Sequence, residues 1–572
     1  MSGMVANHPD PQFARENFLS LCGEWEFEIE NNPTVFYWQP EVWKRKGLSG
    51  KINVPFPVES ALSGVENKEF NLKLWYRKTF TLPENHGNVL LKFGAVDYAA
   101  DVWVNKRKVL SHRGGYAPFG AVISDYVRTG ENEIFVCVRD DCTDPRVPSG
   151  KQSPLYGSFS TYYTRCSGIW QPVWLEFFGS TYIENVRCDA RLNGNVSFGV
   201  QFGIPAAGCE VRAEIFFAGE KVAETHAVAA QDCRLDAHIP RPKLWACGEG
   251  NLYEYRISVC DGGTAADIVC GYFAFREVGF RNNVFTLNGK PLFLRLALDQ
   301  GYYPGGVYTP ADADEFARDI VRATEMGFNG ARLHEKVFDP RYLYHADRLG
   351  FLVWGEYPNF GLSIDRREAL AYMLPEWLAV LRRDVNHPCI VTWCPFNETE
   401  TNDFRSGALQ DAGVINAVYE ATRAFDPSRP VVDVSGSMHT GKTDIYDVHD
   451  YTQDAETFTA HYKKGYFELY PEKQQRKNEP YMVTEFGGIL WDREGGGSWG
   501  YGDAPRSEEE FLSRFSMMVE TLLANPDCTG FSYTQLYDVE QERNGLYTYD
   551  RKAKFDPAVI RAVVGKKAAV EK

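Results

Sequence analysis

The sequence predicts a multidomain chain: an N-terminal β-sandwich of jelly-roll type, an immunoglobulin-like β-sandwich, and a C-terminal (β/α)8 TIM barrel. Three observations carry that prediction. The 572 residues exceed what one hydrophobic core usually serves, so several domains are expected. The first half is broken into short period-two segments rich in aromatic and β-branched residues, as sandwich strands are. The second half alternates short apolar runs with stretches of helical period, the grammar of βα units.

The first sandwich is assigned to residues 1–180. Trp25-Glu26-Phe27-Glu28-Ile29, Trp75-Tyr76-Arg77-Lys78-Thr79-Phe80, Val102-Trp103-Val104 and Ile134-Phe135-Val136-Cys137-Val138 alternate, with Gly, Pro and Asn between them. A second strand-rich stretch, 181–278, includes Val211-Arg212-Ala213-Glu214-Ile215-Phe216-Phe217 and has the length of a small immunoglobulin-like sandwich. The barrel takes 279–572. Its candidate strands are 292–298, 330–334, 351–356, 390–396, 431–435, 446–449, 482–486 and 530–536. Between the first two, 312–326 places Phe316, Ile320 and Ala323 on one helical face, with acids at its start and Gly327 just past its end. Eight strands interleaved with helices over this length fit a (β/α)8 barrel. An open doubly wound sheet would need a glycine fingerprint after its first strand, and none follows.

Composition narrows the partners. A net charge of −16, with no Lys/Arg run longer than Lys44-Arg45-Lys46, argues against nucleic acid and anionic membranes. The 13 Trp, 31 Tyr and 37 Phe offer flat apolar faces suited to stacking on sugars. Asn7, His8, Pro9, Asp10 and Pro11 interrupt any apolar signal core, and no run approaches the roughly 20 apolar residues that span a bilayer. The 13 cysteines are odd in number and contain no CxxC pair, so a cytoplasmic chain with reduced thiols is expected.

No cofactor or metal is expected. The run Gly495-Gly496-Gly497-Ser498-Trp499-Gly500 satisfies GxGxxG but lies in a polar loop after a strand, with Pro505 beyond it. His334-Glu335 opens like HExxH, yet Phe338 stands where the second His belongs. His387, Cys389 and Cys394 are read as a histidine beside buried thiols, because alternation sends the two Cys to opposite faces.

A barrel of this type does its chemistry at the C-terminal ends of its strands, so polar residues that close an apolar run are the ones to inspect. Ile390-Val391-Thr392-Trp393-Cys394-Pro395-Phe396 finishes in Asn397-Glu398, and Tyr481-Met482-Val483-Thr484 finishes in Glu485-Phe486-Gly487-Gly488. Strands four and seven face each other across the mouth. Two carboxyl groups about 5 Å apart there cleave a glycoside with retention, one as nucleophile and the other as acid and then base.

Asn386-His387-Pro388 leading through Trp393 to Asn397-Glu398, and Thr484-Glu485-Phe486-Gly487, are similar to the acid/base and nucleophile segments of glycoside hydrolase family 2, the family of β-galactosidases, β-glucuronidases and β-mannosidases. Trp75-Tyr76-Arg77 and Ser167-Gly168-Ile169-Trp170-Gln171-Pro172-Val173 resemble its sugar-binding domain, and Asp347-Arg348-Leu349-Gly350-Phe351-Leu352-Val353-Trp354 its third barrel strand. The resemblance implies that Glu398 is the acid/base, Glu485 the nucleophile, and Asn397 the partner of the sugar 2-OH. Glu398 would then hold a proton near neutrality, its pKa raised by ionised Glu485 and by desolvation. Arg332, His334, Trp354, Glu356, His449, Tyr451, Tyr533 and Gln535 become candidates for substrate binding.

Departures from the family bear on the sugar. The β-glucuronidases grip the uronate with Asn-x-Lys-Gly, where this chain has Glu542-Arg543-Asn544-Gly545. Tyr162 stands where many members supply an Asp, and 530–538 lacks the tryptophans of the large β-galactosidases. The function expected is that of a retaining exo-glycosidase acting on neutral non-reducing-end glycosides of β-galactoside type by a two-carboxylate double displacement. The alternatives are a β-galactofuranosidase, an α-L-arabinofuranosidase or a transglycosylase on the same scaffold, and last a non-catalytic carbohydrate-binding protein. Exo action follows if the N-terminal domain and the loops 354–364 and 489–505 wall the site. The expected partner is a glycoside or oligosaccharide, and the resemblance extends to self-association as a homo-oligomer.

Overall fold

The computed structural model describes residues 7–30, 47–399, 410–436, 438–471, 474–493, 495 and 497–572. Lys44-Arg45-Lys46 and Gly496 of the glycine-rich run lie outside the described residues. Among the described residues no helix is long and apolar enough to cross a membrane.

Alternation builds the first sandwich. One sheet runs Phe18–Ser20, Val173–Phe178, Asn88–Phe93, Phe119–Val122, and the other runs Gly50–Val54, Gly23–Ile29, Lys73–Leu82, Gly130–Arg139, Ala99–Val104, Arg107–Arg113. Along Gly130–Arg139, Ile134, Val136 and Val138 enter the core between the sheets. Phe135 and Cys137 turn the other way, into a smaller cluster with Trp75 and Trp103. In the second sandwich Val211, Ala213 and Ile215 of Glu210–Phe217 are likewise buried, while Glu210 and Arg212 face solvent.

The parallel sheet of the third region has the order Ile390–Cys394, Leu352–Glu356, Gly330–Leu333, Leu294–Asp299, Cys528–Thr534, Tyr481–Gly487, Tyr446–Asp450. The helix expected at 312–326 is found as Glu315–Glu325, with Phe316, Ile320 and Ala323 buried. The fifth candidate strand does not join this ladder. Segment 431–435 makes only isolated parallel bridges, Trp393 with Val431 and Asn397 with Ser435. Its other side reaches Tyr446–Asp450 through side chains, Ser435 Oγ and Gly436 N donating to Asp447 Oδ2 at 2.8 and 2.9 Å. The reason is local. Pro430 supplies no N–H, and Asp433 spends its carboxylate on turning the chain, pairing with His439 Nδ1 at 2.6 Å and accepting from Thr440 N at 2.7 Å. A bridged segment therefore occupies the fifth place and closes the barrel.

Asn386, at the start of the Asn-His-Pro run, docks the second sandwich onto the barrel. Its Nδ2 donates to the Val186 carbonyl at 2.6 Å and its Oδ1 accepts from Cys188 N at 2.9 Å. Donor atoms of Asp347, His387 and Cys389 lie within 4.8 Å of one another. The Asp347 oxygens are already engaged there by Tyr272 OH at 2.9 Å, by His387 Nδ1 at 2.5 Å and by Cys389 N at 2.7 Å, so the cluster is accounted for as a hydrogen-bond network. Cys394, at the far end of Ile390–Cys394, points elsewhere, toward the Phe396 carbonyl.

Candidate active site

Glu485 sits inside Tyr481–Gly487, and Glu398 lies in the turn just past Ile390–Cys394. The Glu398 backbone has φ +42°, a left-handed conformation uncommon for a non-glycine residue. Its N–H donates to the Ser435 carbonyl at 3.1 Å, so the bridged fifth segment fixes the turn. One oxygen of Glu398, one of Glu485 and a ring nitrogen of His449 lie within 4.8 Å of one another.

Arg332, wholly buried at the end of Gly330–Leu333, organises the floor. Its Nη1 donates to Glu485 Oε1 at 2.9 Å and to the Thr484 carbonyl at 3.0 Å, its Nη2 to Asn397 Oδ1 at 2.8 Å, and its Nε to Glu356. A rigid guanidinium fork is suited to holding these four groups at fixed angles. Asn397 N donates to Asn359 Oδ1 at 2.7 Å. Asn397 Nδ2 has no protein partner among the described residues. Tyr451 OH donates to Glu485 Oε2, and Tyr451 stacks on Tyr501 with centroids 3.5 Å apart.

His449 stands between the two carboxylates, its Nδ1 2.7 Å from Glu398 Oε1 and its Nε2 3.4 Å from Glu485 Oε1. Gly436, at φ +68°, permits this approach: a Cβ there would come within 2.1 Å of the imidazole. Burial pulls the imidazole down, but Glu485 and Glu398 outweigh it and hold His449 above its ordinary value. The expectation of a raised Glu398 is corrected accordingly. Burial alone would raise it, yet the hydrogen bond and charge of His449, followed by Lys151 and Arg332, bring it down to about 2.

The other candidates divide by position. His334 is brought in, its Nδ1 2.9 Å from Glu356 Oε2; burial, then the charge of Lys151, hold it well below its usual value and therefore neutral. Glu356 has both oxygens occupied, by Arg332, His334 and the Glu335 N–H at 3.0 Å, so it props the other groups from behind. Trp354, proposed for substrate binding, is instead wholly buried in the barrel core. Tyr533 is corrected in the same way: its ring packs between Phe486 at 5.5 Å and Phe515 at 5.0 Å, the latter on the outer helix Glu508–Ala524. The residue beside it, Thr534, reaches the site, its Oγ1 3.2 Å from Tyr451 OH. Period-two alternation already implied that Tyr533 and Thr534 point to opposite sides. Gln535 is buried and donates from Nε2 to Asn544 Oδ1 at 2.9 Å, and Asn544 Nδ2 donates to Glu542 Oε1 at 2.9 Å.

The rim includes the first sandwich. Ser149 N and Gly150 N donate to the Phe360 carbonyl at 2.7 and 3.1 Å, and Gln541 Nε2 donates to the carbonyls of Ser160 and Tyr162 at 2.7 and 3.0 Å. Tyr163 OH donates to Glu542, whose carboxyl is pushed up to about 7 by burial against that hydrogen bond. Tyr162 lies 6.2 Å from Phe360, ring to ring, and the Lys151 ammonium 4.6 Å from the Phe360 centroid. Among these only Tyr162 and Glu542 had been singled out from the sequence. The rest needed knowledge of which loops meet.

Residues 13–173 match the sugar binding domain of glycosyl hydrolases family 2, residues 181–276 match a second region described as glycosyl hydrolases family 2, and residues 278–516 match its TIM barrel domain. The chain belongs to glycoside hydrolase family 2. As a member of that family it is a glycoside hydrolase, and the relatives it resembles differ in their sugars. It is 26% identical to the beta-glucuronidase of Pongo abelii over 76% of this chain and 70% of that protein. It is 25% identical to the beta-galactosidase of Photobacterium profundum over 77% of this chain and 45% of that protein. Among solved structures, Bifidobacterium dentium beta-glucuronidase complexed with coumarin-3-O-glucuronide superposes with TM-score 0.82 at 20% identity, covering 98% of each chain. Beta-D-glucuronidase of Dictyoglomus thermophilum gives 0.77 at 21%, covering 97% of each. At such identities the superpositions establish the family 2 fold.

Proposed function

We propose that this family 2 enzyme removes a neutral sugar of β-galactoside type from a non-reducing end, with Glu485 as nucleophile and Glu398 as acid and then base. The observation that carries the reading is the pair of carboxylate oxygens within 4.8 Å across the barrel mouth. Retaining glycosidases place their carboxyl groups about 5 Å apart, and inverting ones leave room for a water between them. Glu485 Oε1 and Oε2 are aimed by Arg332 and Tyr451. It attacks the anomeric carbon while Glu398 gives a proton to the departing oxygen. The covalent glycosyl ester is then hydrolysed by a water that Glu398 deprotonates, and transfer to a sugar acceptor would use the same second step. Asn397, oriented by Arg332, offers its spare Nδ2 donor to the 2-OH, a contact that strengthens as charge develops on the ring.

The proton for Glu398 comes along its hydrogen bond to His449, so the pair carries one titrating proton. His449→Ala removes the main influence that brings Glu398 down to about 2, and burial then leads. Wild type loses its acid proton at the raised imidazole value, the variant at that of a carboxyl group. The alkaline limb of kcat/KM is therefore expected to move to lower pH, and a limb that stays in place would contradict the shared proton.

A neutral sugar is favoured because 542–545 brings no ammonium to the pocket. Asn544 is bound up with Gln535 and Glu542, and Arg543 turns toward Asp538 at 4.0 Å. A uronate would forgo the charge-assisted contact, worth a few kcal/mol, that a lysine at this position supplies. The thirteen free thiols fit a reducing, cytoplasmic setting, and association into a homo-oligomer is part of the same reading. The test is a set of nitrophenyl glycosides: β-galactopyranoside, β-glucuronide, β-mannoside, β-galactofuranoside and α-L-arabinofuranoside. The β-galactopyranoside is expected to have the highest kcat/KM. Preference for the glucuronide would overturn the neutral-sugar reading, and preference for a furanoside would move it to that ring form.

A further inference from the structure

Two side chains at the pocket edge have valences that the double displacement does not use. Lys151, from the first sandwich, is 6% exposed, and its ammonium has neither a hydrogen-bond nor an ion-pair partner among the described residues. Its backbone is pinned on both sides. Tyr163 N donates to the Lys151 carbonyl at 2.8 Å, and Gly150, at φ +54°, lies so close to the barrel that a Cβ would come within 2.2 Å of the Glu335 carbonyl. Glu335 is 1% exposed and has φ +48°, again in the left-handed region. Its Oε2 accepts from Phe360 N at 3.1 Å, whereas its Oε1 is buried without a partner. Phe360 joins the two: its N–H holds Glu335, its carbonyl holds the Lys151 loop, and its ring lies 4.6 Å from the Lys151 ammonium.

We propose that Lys151 and Glu335, brought together across the domain boundary, form a specificity-determining pair that reads one or two neighbouring hydroxyls of the sugar. This rests on the neutral-glycoside reading above. A buried ammonium and a buried carboxyl oxygen each cost free energy until a ligand completes them. A hydroxyl completes both, because its oxygen accepts from Nζ while it either donates to the carboxylate or accepts from the protonated carboxyl group that burial favours. An added carboxylate can accept from Nζ but cannot donate to Glu335 when that carboxyl is ionised. It would also share the Lys151 charge with Glu398, on which that charge already acts, in a site where Glu356, Glu398 and Glu485 already face Arg332, His449 and Lys151. The Phe360 ring gives the pair an apolar neighbour suited to the C–H face of an uncharged sugar.

The test compares wild type, Lys151→Met and Glu335→Gln on the nitrophenyl glycoside selected by the set above and on its monodeoxy analogues at each hydroxyl other than the 2-position. Each variant is expected to lose roughly 10- to 100-fold in kcat/KM on the parent. One deoxy analogue is expected to cost wild type a similar factor, with neither variant losing further on it, and Tm is expected to stay near the wild-type value. Equal losses across all analogues, or an effect confined to the pH profile, would overturn the pair and make Lys151 a charge that acts on Glu398. The neutral reading fails separately, if wild type prefers a β-glucuronide to the matching β-glucoside. If Lys151→Met abolishes that preference, the hydroxyl-reading pair falls as well; if the preference survives, the analogue comparison still decides the pair.

Discussion

Glu485→Ala is expected to lose roughly 10⁴-fold or more in turnover, with sodium azide restoring a product of inverted configuration. Both carboxylate oxygens are engaged by groups that aim them, Arg332 Nη1 at 2.9 Å on one and Tyr451 OH on the other. Truncation to Ala removes the attacking atom and leaves a space of about carboxylate size beneath the anomeric carbon. Azide fits that space, needs no proton removed, and attacks from the same face that Glu485 used, so its product is the glycosyl azide of opposite configuration to the substrate. The loss is chemical rather than structural, because Arg332 keeps Glu356 and Asn397 and is not stranded as an unpaired buried charge. A folded variant with activity near wild type would remove Glu485 from the mechanism.

Glu398→Ala is expected to separate substrates by leaving group. Glycosides with poor leaving groups should fall by about 10²- to 10⁴-fold, the usual share of general acid catalysis. Activated dinitrophenyl glycosides should keep their first step, because their leaving groups depart without a proton. They should then accumulate the glycosyl-enzyme, since the same residue deprotonates the water of the second step. The contact with His449 makes this experiment sharper than usual. In the free enzyme Glu398 is the ionised partner of that imidazole, so the variant also releases His449 from one of its two carboxylates. Equal losses on both substrate classes would argue against a proton-donating role for Glu398.

The barrel was legible because most of its strands are short apolar runs closed by a polar residue, and because helices such as Glu315–Glu325 bury one face. The fifth strand was apolar enough to be placed but not laddered, since the turn made by Asp433 and His439 depends on contacts the run itself does not reveal. Glu398, Glu485 and Arg332, which the structure brings together, stand out in the sequence by their positions where strands end. Trp354 and Tyr533 were chosen for residue type, and both turn out to be packed in the barrel. Alternation alone would have pointed to Thr534 instead of Tyr533. Lys151 was illegible for a different reason. It comes from a loop of another domain that only tertiary folding brings to the mouth, whereas Tyr501 lies in 489–505, a loop expected to wall the site, and only its stacking on Tyr451 was hidden. The direction of the Glu398 pKa was missed because it is decided by one imidazole contact, which overrides the burial that the sequence suggested.

The central claim, that two carboxylates this close act in turn on one anomeric carbon, is tested most directly by the configuration of the first sugar released. Proton NMR of the wild-type reaction at early times, before mutarotation, is expected to show the anomer of the substrate, the counterpart of the inverted azide product of Glu485→Ala. Release of the opposite anomer by wild type would mean that a water attacks directly, and would contradict the double displacement.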